Sequence, residues 1–336
     1  MKKNILVTGG CGYIASHFIS ILDPEEYEII IIDNLSRSNI KVIKNLKKIT
    51  KIKIYFYNID LLDVEKLKKI FISHAIDSVA HFAGYKSVSE SLINPLSYYQ
   101  NNLKGTINLV NLLLKNNIKK IIFSSSATLY GNSKKQPVTE LSVINPISPY
   151  GKIKYMIENL LQDICFSKND FTATSLRYFN PVGAHKSGFI GEPVTHFSGN
   201  LMPSILMATI NPKMKLKIFG NDYPTPDGTC LRDFIHIDDL AKAHLSALDF
   251  NDINQGFNVF NIGTGKPTSV FELIKTFEIT NSIQIPFEFV SRRVGDVPIS
   301  YANVRKANKY LKWHAQLSTE DICFDSWNWF SGIDKY

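Results

Sequence analysis

Hydrophobic residues in the first half of the chain follow two alternating patterns. Unbroken apolar runs of strand length lie at 4–8, 28–33, 54–58, 78–82, 120–124 and 172–177. Between them, apolar residues recur at helical spacing near 14–21, 63–74, 95–116 and 148–166. A strand that is apolar at nearly every position is buried on both faces, and regular strand–helix alternation gathers such strands into one parallel sheet covered by helices on each side. The expected fold class is therefore α/β with a doubly wound parallel sheet. Beyond Arg177 the rhythm breaks into loops rich in Gly, Pro and Asn at 180–200 and 220–228, with one helix between them and a strand-like return near 234–237. This change predicts a first domain at 1–179 with a returning portion near 234–262, and a smaller, interleaved C-terminal lobe at 180–336.

A chain of 336 residues that is 44% hydrophobic is long enough for one large core and a second, smaller one. The apolar run at 5–7 meets a Gly pair and is too brief for a signal peptide or a membrane span, so no membrane partner is expected. Cys11, Cys165, Cys230 and Cys323 are scattered without ligand spacing, which argues against a disulfide framework or a metal site and suits a cytoplasmic setting. The net charge of +8 comes from Lys interleaved with acidic residues rather than from a basic stripe, so no nucleic-acid partner is expected. Arginine is scarce: Arg37, Arg177, Arg232, Arg292, Arg293 and Arg305. Against a lysine background, these few are candidates for work that needs a planar fork, such as phosphate recognition.

The first apolar run leads straight into Gly9-Gly10-Cys11-Gly12-Tyr13-Ile14-Ala15 and then a helical pattern. Glycines at the tight turn and at the point of closest backbone approach leave free N–H groups at a helix N-terminus, where phosphate oxygens bind. Plain turns also use glycine. Here strand, loop and helix come in the order of a dinucleotide site. Asp33 then ends the second strand about 20 residues further on, where a carboxylate meets adenine ribose hydroxyls. A carboxylate there repels a 2′-phosphate, which favours NAD over NADP. Arg37 close by either tempers that preference or is a solvated loop charge. Asp60, after the third strand, either bonds the adenine or caps the helix near Asp63. Ala15 occupies the third glycine position, where Ala is tolerated.

The run at 120–124 ends in Ser125-Ser126-Ala127-Thr128, and Tyr150 and Lys154 follow, four apart on a predicted helix. Residues at that spacing share a helix face, with Cβ atoms roughly 6 Å apart. A free phenol, of pKa about 10, is a poor base at neutral pH. A neighbouring ammonium and an oxidised nicotinamide lower that value, and Lys154 is expected to do so for Tyr150. The phenolate can then take a proton from a substrate hydroxyl. Ser126 stands at the carboxyl edge of the sheet, where ligands of such folds bind, and is placed to hydrogen-bond the reacting oxygen. A Tyr and a Lys four apart also occur by chance, but the order of glycine loop, acid, serines and Tyr/Lys pair favours the catalytic reading.

Seven segments together resemble the UDP-glucose 4-epimerase family of extended short-chain dehydrogenase/reductases. They are 7–17 (Val-Thr-Gly-Gly-Cys-Gly-Tyr-Ile-Ala-Ser-His), 81–84 (His-Phe-Ala-Gly), 124–128 (Ser-Ser-Ser-Ala-Thr), 148–152 (Ser-Pro-Tyr-Gly-Lys), 177–185 (Arg-Tyr-Phe-Asn-Pro-Val-Gly-Ala-His), 219–225 (Phe-Gly-Asn-Asp-Tyr-Pro-Thr) and 232–236 (Arg-Asp-Phe-Ile-His). The match runs nearly end to end. It implies a Rossmann-like fold and C4 inversion of a UDP-hexose: hydride passes from the sugar to tightly held NAD, and the 4-keto sugar turns over and takes it back. By the resemblance, Tyr150 would be the base, Lys154 would bind the nicotinamide ribose and Ser126 would hold O4. Gly9, Gly12, Tyr13, Ile14, Asp33, Asn34, Asp60, Phe82, Lys86, Asn101 and Tyr178 would contact the cofactor. Asn180, Asn200, Leu201, Phe219, Arg232, Arg293 and Asp296 would contact the UDP-sugar, although Arg232 could instead pair with Asp233 in a surface turn. A homodimer is implied, formed by the helices at 95–116 and 148–166, whose apolar Met156, Ile157, Leu160, Leu161 and Ile164 could equally be monomer core.

Two departures bear on specificity. The sequence between Glu192 and Asn200 does not follow the family's usual loop, and Ser300 stands where many members carry a large aromatic, which leaves room for an N-acetyl group on the sugar. Two other functions compete. A sugar-nucleotide 4,6-dehydratase shares the Tyr/Lys pair, but it needs acidic residues where Ala127 and Leu129 flank Thr128. A cofactor-binding sensor that has lost catalysis usually lacks the Tyr or the Lys.

Overall fold

The computed structural model describes residues 2–194, 200–211, 214–293 and 295–332. Its first part runs β1 (Lys3–Thr8), α1 (Tyr13–Ser20), β2 (Tyr27–Asp33), α2 (Lys41–Ile49), β3 (Lys53–Asn58), α3 (Val64–Ser73), β4 (Ser78–His81), α4 (Val88–Ile93), α5 (Pro95–Tyr98), a π-helical stretch Tyr99–Lys104, α6 (Gly105–Lys115), β5 (Lys120–Ser124), α7 (Pro149–Ser167) and β6 (Thr172–Tyr178). The second part runs β7 (Asn180–Val182), α8 (Leu201–Ile210), β8 (Leu216–Phe219), β9 (Leu231–Arg232), β10 (Phe234–His236), α9 (Ile237–Ile253), β11 (Gly256–Ile262), β12 (Thr268–Ser269), α10 (Val270–Asn281), β13 (Phe287–Val290), β14 (Ile299–Ser300), α11 (Arg305–Tyr310) and α12 (Thr319–Ser331).

Seven strands form one parallel sheet in the order β11-β6-β5-β4-β1-β2-β3. The reason is visible in β2, where Ile29, Ile30, Ile31 and Ile32 are each at most 1% exposed. Burying such side chains on both faces contributes about 1.5–3 kcal/mol apiece. Phe18, Ile19, Leu240 and Ala243 from α1 and α9 cover one face; Leu67, Leu109, Leu113, Ile157 and Leu161 from α3, α6 and α7 cover the other. A separate apolar cluster gathers Ile205, Leu216, Ile274, Phe277 and Trp329 from the C-terminal elements. Helix starts are set locally: the Asp63 side chain accepts from Lys66 N, and Ser148 accepts from Gly151 N ahead of Pro149.

The chain winds outward from β1 to β3, returns to lay β4 beside β1, and then winds the other way. That reversal opens a crevice at the carboxyl ends of β1 and β4, the place where open α/β sheets bind ligands. The six predicted strands agree with the structure to within a residue at each end. The helix expected at 95–116 is interrupted by the π-helical stretch, a kind of irregularity frequent near functional sites. The strand expected near 234–237 is present as β10, at the start of the returning portion expected at 234–262. Phe234–His236 pairs with β7 outside the main sheet, and the strand that returns to the sheet is β11, delivered beside β6 by α9.

Candidate active site

The loop after β1 is a cradle shaped by its glycines. Gly9 has φ +69°, and a Cβ there would lie 2.8 Å from the backbone N and Cα of Ala83, so only glycine lets the two loops pass. Gly12 is the N-cap of α1 and supplies no side-chain cap, which leaves the helix's first N–H groups open to an anion. Asp33 holds this loop: its carboxylate accepts from Cys11 N at 3.0 Å, Leu35 N at 2.8 Å and the Ser38 hydroxyl at 2.8 Å. An ionised carboxylate has about four acceptor positions, so one is left for a ribose hydroxyl. Asn34 donates to Asp60 at 2.7 Å, and Asp60 also accepts from Leu62 N. The cap of α3 is Asp63, not Asp60. Arg37 is an exposed loop charge that pairs with Glu90 and lies 4.8 Å over the Tyr85 ring. A glycine cradle, an uncapped helix N-terminus and an acid ending β2 fit a dinucleotide.

Around the cradle, Tyr13 donates to Gly183 O at 2.6 Å, Ile14 packs on the core beneath α1, and Phe82 meets the His244 ring at 4.8 Å. Asn101 lies in the π-helical stretch and donates to Asn102, whose amide in turn holds Tyr85 N and O. Lys86 Nζ donates to Glu192 Oε1 at 2.6 Å, and Asn200 Nδ2 reaches the same oxygen at 2.7 Å, so one carboxylate joins a candidate cofactor contact to a candidate substrate contact.

Ser126, Tyr150 and Lys154 come together at the carboxyl end of β5. Ser126 Oγ accepts from Thr128 N at 3.2 Å and the Thr128 hydroxyl at 3.0 Å. Lys154 Nζ donates to Ser124 O at 2.5 Å and lies 4.6 Å from the Phe123 ring centre and 5.7 Å from that of Tyr150. Tyr178 shares a 2.9 Å hydrogen bond with Ser124, and burial pushes its phenol up to about 12. Burial works against the lowering expected from the neighbouring lysine. Burial first, and Tyr178 second, push the Tyr150 phenol well above the usual tyrosine range, opposed by a hydrogen bond with Ser126. Burial likewise pulls Lys154 down to about 7, with Glu158 opposing. The ammonium is turned to the Ser124 carbonyl, and both groups lie where the charged form is poorly solvated.

Arg177 also departs from its expected role. Its fork lies beneath the site, paired with buried Glu158 and donating to Tyr130. Sequence reasoning passed over Glu158, although an acid one turn beyond Lys154, within an apolar stripe, was a usable signal. Asn102 and Glu192 offered no such pattern.

On the substrate side, Arg232 donates to Val297 O at 2.8 Å and lies 3.7 Å from Asp296, which Arg293 approaches at 3.4 Å. Arg293 also covers the Phe219 ring at 4.8 Å. Arg232 is therefore not paired with Asp233 in a surface turn. Asp233 is fully buried and accepts from Thr264 N and Oγ1, Gly265 N and Ala302 N. Its carbonyl accepts from Asn180 N at 3.0 Å. Ser300, in β14, stands in register with Arg232 of β9. Leu201 opens α8, while residues 195–199 of the unusual loop between Glu192 and Asn200 lie outside the described residues. Among the described residues no helix is long and apolar enough to cross a membrane.

Residues 5–263 match the NAD dependent epimerase/dehydratase family. The chain is 46% identical over 332 residues to a UDP-glucose 4-epimerase of Dictyostelium discoideum, covering 98% of this chain and 96% of that one. Among solved structures, it is similar to the UDP-glucose 4-epimerase of Stenotrophomonas maltophila with bound NAD and formylated UDP-arabinopyranose, at TM-score 0.96, 40% identity and 99% coverage of both chains. It is also similar to that of Bifidobacterium longum in complex with NAD+ and UDP, at TM-score 0.94, 40% identity and the same coverage.

Proposed function

The chain belongs to the NAD dependent epimerase/dehydratase family, and from that premise we propose that it reversibly inverts C4 of a UDP-hexose, interconverting UDP-glucose and UDP-galactose with NAD held as a prosthetic group. The observation that carries this reading is the meeting of Ser126, Tyr150 and Lys154 at the sheet edge beside the glycine cradle. Gly9, Gly12 and Asp33 are the residues suited to hold the dinucleotide. Bound NAD would supply the hydride acceptor and donor that inversion at C4 requires. Tyr150 takes the O4 proton and gives it back, Ser126 holds O4, and the charge of Lys154, anchored on Ser124 O, together with that of the oxidised nicotinamide, would offset the burial that keeps the Tyr150 phenol protonated. The Arg232, Arg293 and Phe219 cluster suits a uridine diphosphate, since it offers two cationic forks for the phosphates and an aromatic ring for the base. Dehydration lacks its acids, since Ala127 and Leu129 flank Thr128.

A second reading, that UDP-N-acetylhexoses also turn over, is favoured by the small, half-buried Ser300 opposite Arg232. We further propose the division into 1–179 with 234–262 as the NAD-binding part and the remainder as the UDP-sugar lobe, supported by the separate C-terminal apolar cluster. A cytoplasmic setting is consistent with four buried, unpaired cysteines. A homodimer is supported by exposed Leu92, Ile93 and Leu96 on α4 and α5 and Met156 on α7, whereas Ile157 and Leu161 are monomer core. Sedimentation of the purified chain as a monomer would remove that proposal. The functional test is incubation with UDP-galactose and, separately, UDP-N-acetylgalactosamine, without added NAD, followed by chromatographic resolution of the epimers. Recovery of UDP-galactose unchanged defeats the main reading, and a keto product points to dehydration.

A further inference from the structure

Beneath the reacting groups lies a buried ion pair that touches none of them. Glu158, one helical turn beyond Lys154 on α7, accepts from Ser125 Oγ at 2.7 Å, Ser175 Oγ at 2.7 Å, and Arg177 Nε at 3.0 and 3.1 Å and Nη2 at 2.5 Å. Its side chain is 2% exposed and that of Arg177 is 5% exposed. Arg177 continues through Tyr130 Oη at 3.0 Å to Asn261 at 2.6 Å, tying β6, the turn after β5 and β11 into one polar layer.

We propose that the Glu158–Arg177 pair is a positioning unit for Lys154 and Ser126: by occupying the Glu158 carboxylate, Arg177 withholds a counter-ion from Lys154 and keeps the ammonium's charge at the sheet edge. The proposal rests on the reading of Tyr150 and Lys154 given above. With both carboxylate oxygens engaged, Lys154 turns to Ser124 O instead. The Ser125 bond to Glu158 also fixes the backbone immediately before Ser126. The groups facing Lys154 are Tyr150 and Glu158 from α7, Ser124 and Phe123 from β5, and His81 from β4, while Tyr178 of β6 bonds Ser124 and Arg177 of β6 acts through Glu158. His81 is held neutral, since burial and then the Lys154 charge pull it down to about 3, and both its ring nitrogens meet threonine hydroxyls. The ion pair is thus the variable field beneath the ammonium.

The readout is the alkaline limb of kcat for the NAD-loaded enzyme, lost as Lys154 gives up its proton. Glu158→Gln leaves Arg177 uncompensated and should move that limb to lower pH by about one unit. Arg177→Met leaves Glu158 uncompensated and should move it to higher pH by a similar amount. The double variant removes both charges and should restore the limb to near its original position; replacing a whole buried pair by neutral groups also tends to spare folding. If Arg177→Met does not fold, Arg177→Lys keeps the cation but loses the fork and should give a smaller upward shift. Limbs that stay put, or that move the same way in both single variants, overturn the proposal. If Tyr150→Phe still inverts the sugar, the underlying catalytic reading fails instead.

Discussion

Replacing Gly9 by Ala separates the two jobs of the glycine loop. At φ +69° an alanine carries roughly 1–2 kcal/mol of left-handed strain. Its methyl would also stand 2.8 Å from the Ala83 backbone, which has no flexible end to yield. The loops must part by several tenths of an ångström, so the loss should exceed the strain alone and reach about 2–4 kcal/mol. Gly12→Ala is different in kind. Its φ of −75° and ψ of 166° suit any residue, and the new Cβ meets only Gly9 O, at 3.0 Å. The fold should lose about 1 kcal/mol or less, while the methyl intrudes where phosphate oxygens approach the open N–H groups. The assay is paired: NAD released by acid per mole of purified chain, and the thermal midpoint of the cofactor-stripped protein. Gly9→Ala should lower both, and Gly12→Ala should lower NAD content with little change in the stripped protein's midpoint. Full NAD content in Gly12→Ala, or an unchanged midpoint in Gly9→Ala, would refute the reasoning.

Three further outcomes follow from the site. Tyr150→Phe should reduce epimer formation by about 10²-fold or more while bound NAD stays near the wild-type ratio, and near-normal turnover would remove the phenol from the mechanism. Lys154, normally near 10.5, is pulled to about 7 by burial. Between those values the unfolded chain binds the extra proton, so this residue makes stability rise with pH across that window and withholds stability below it. In urea titrations of cofactor-free protein, Lys154→Met should flatten that rise by up to one proton's slope, about 1.4 kcal/mol per pH unit, and an identical slope in wild type and variant would contradict the burial argument. Ser300→Tyr should abolish turnover of UDP-N-acetylglucosamine and spare UDP-glucose; loss of both would show that the site tolerates no bulk there.

The sheet was readable because its strands are buried on both faces, which writes an unbroken apolar run into the sequence. The C-terminal elements were less so. Strands β9, β12 and β14 are two residues long, too short for alternation to register. Within the returning portion, β11 was not picked out as the strand that joins the sheet because it begins Gly-Phe-Asn and mixes polar with apolar positions along its length. Its place beside β6 is set by α9, whose buried Leu240, Ala243 and Ala247 pack it onto the sheet.

At the site, order along the chain identified the groups but not their electrostatic state. A spacing of four on a helix establishes that Tyr150 and Lys154 are neighbours, and neighbourhood alone argues for a lowered phenol. What decides the sign is solvation: both side chains are at most 6% exposed, and a low-dielectric surround disfavours phenolate and ammonium alike. Arg177 teaches the same lesson. Scarcity among lysines marked it as a fork with a task, and the task is real, but the carboxylate it grips belongs to Glu158 rather than to a ligand. That partner sits one turn past Lys154, in a stripe where Ile157 and Leu161 are buried. An acid on a buried face must meet a cation or give up its charge. A cation already expected to be busy elsewhere is therefore the first place to look for what such an acid requires.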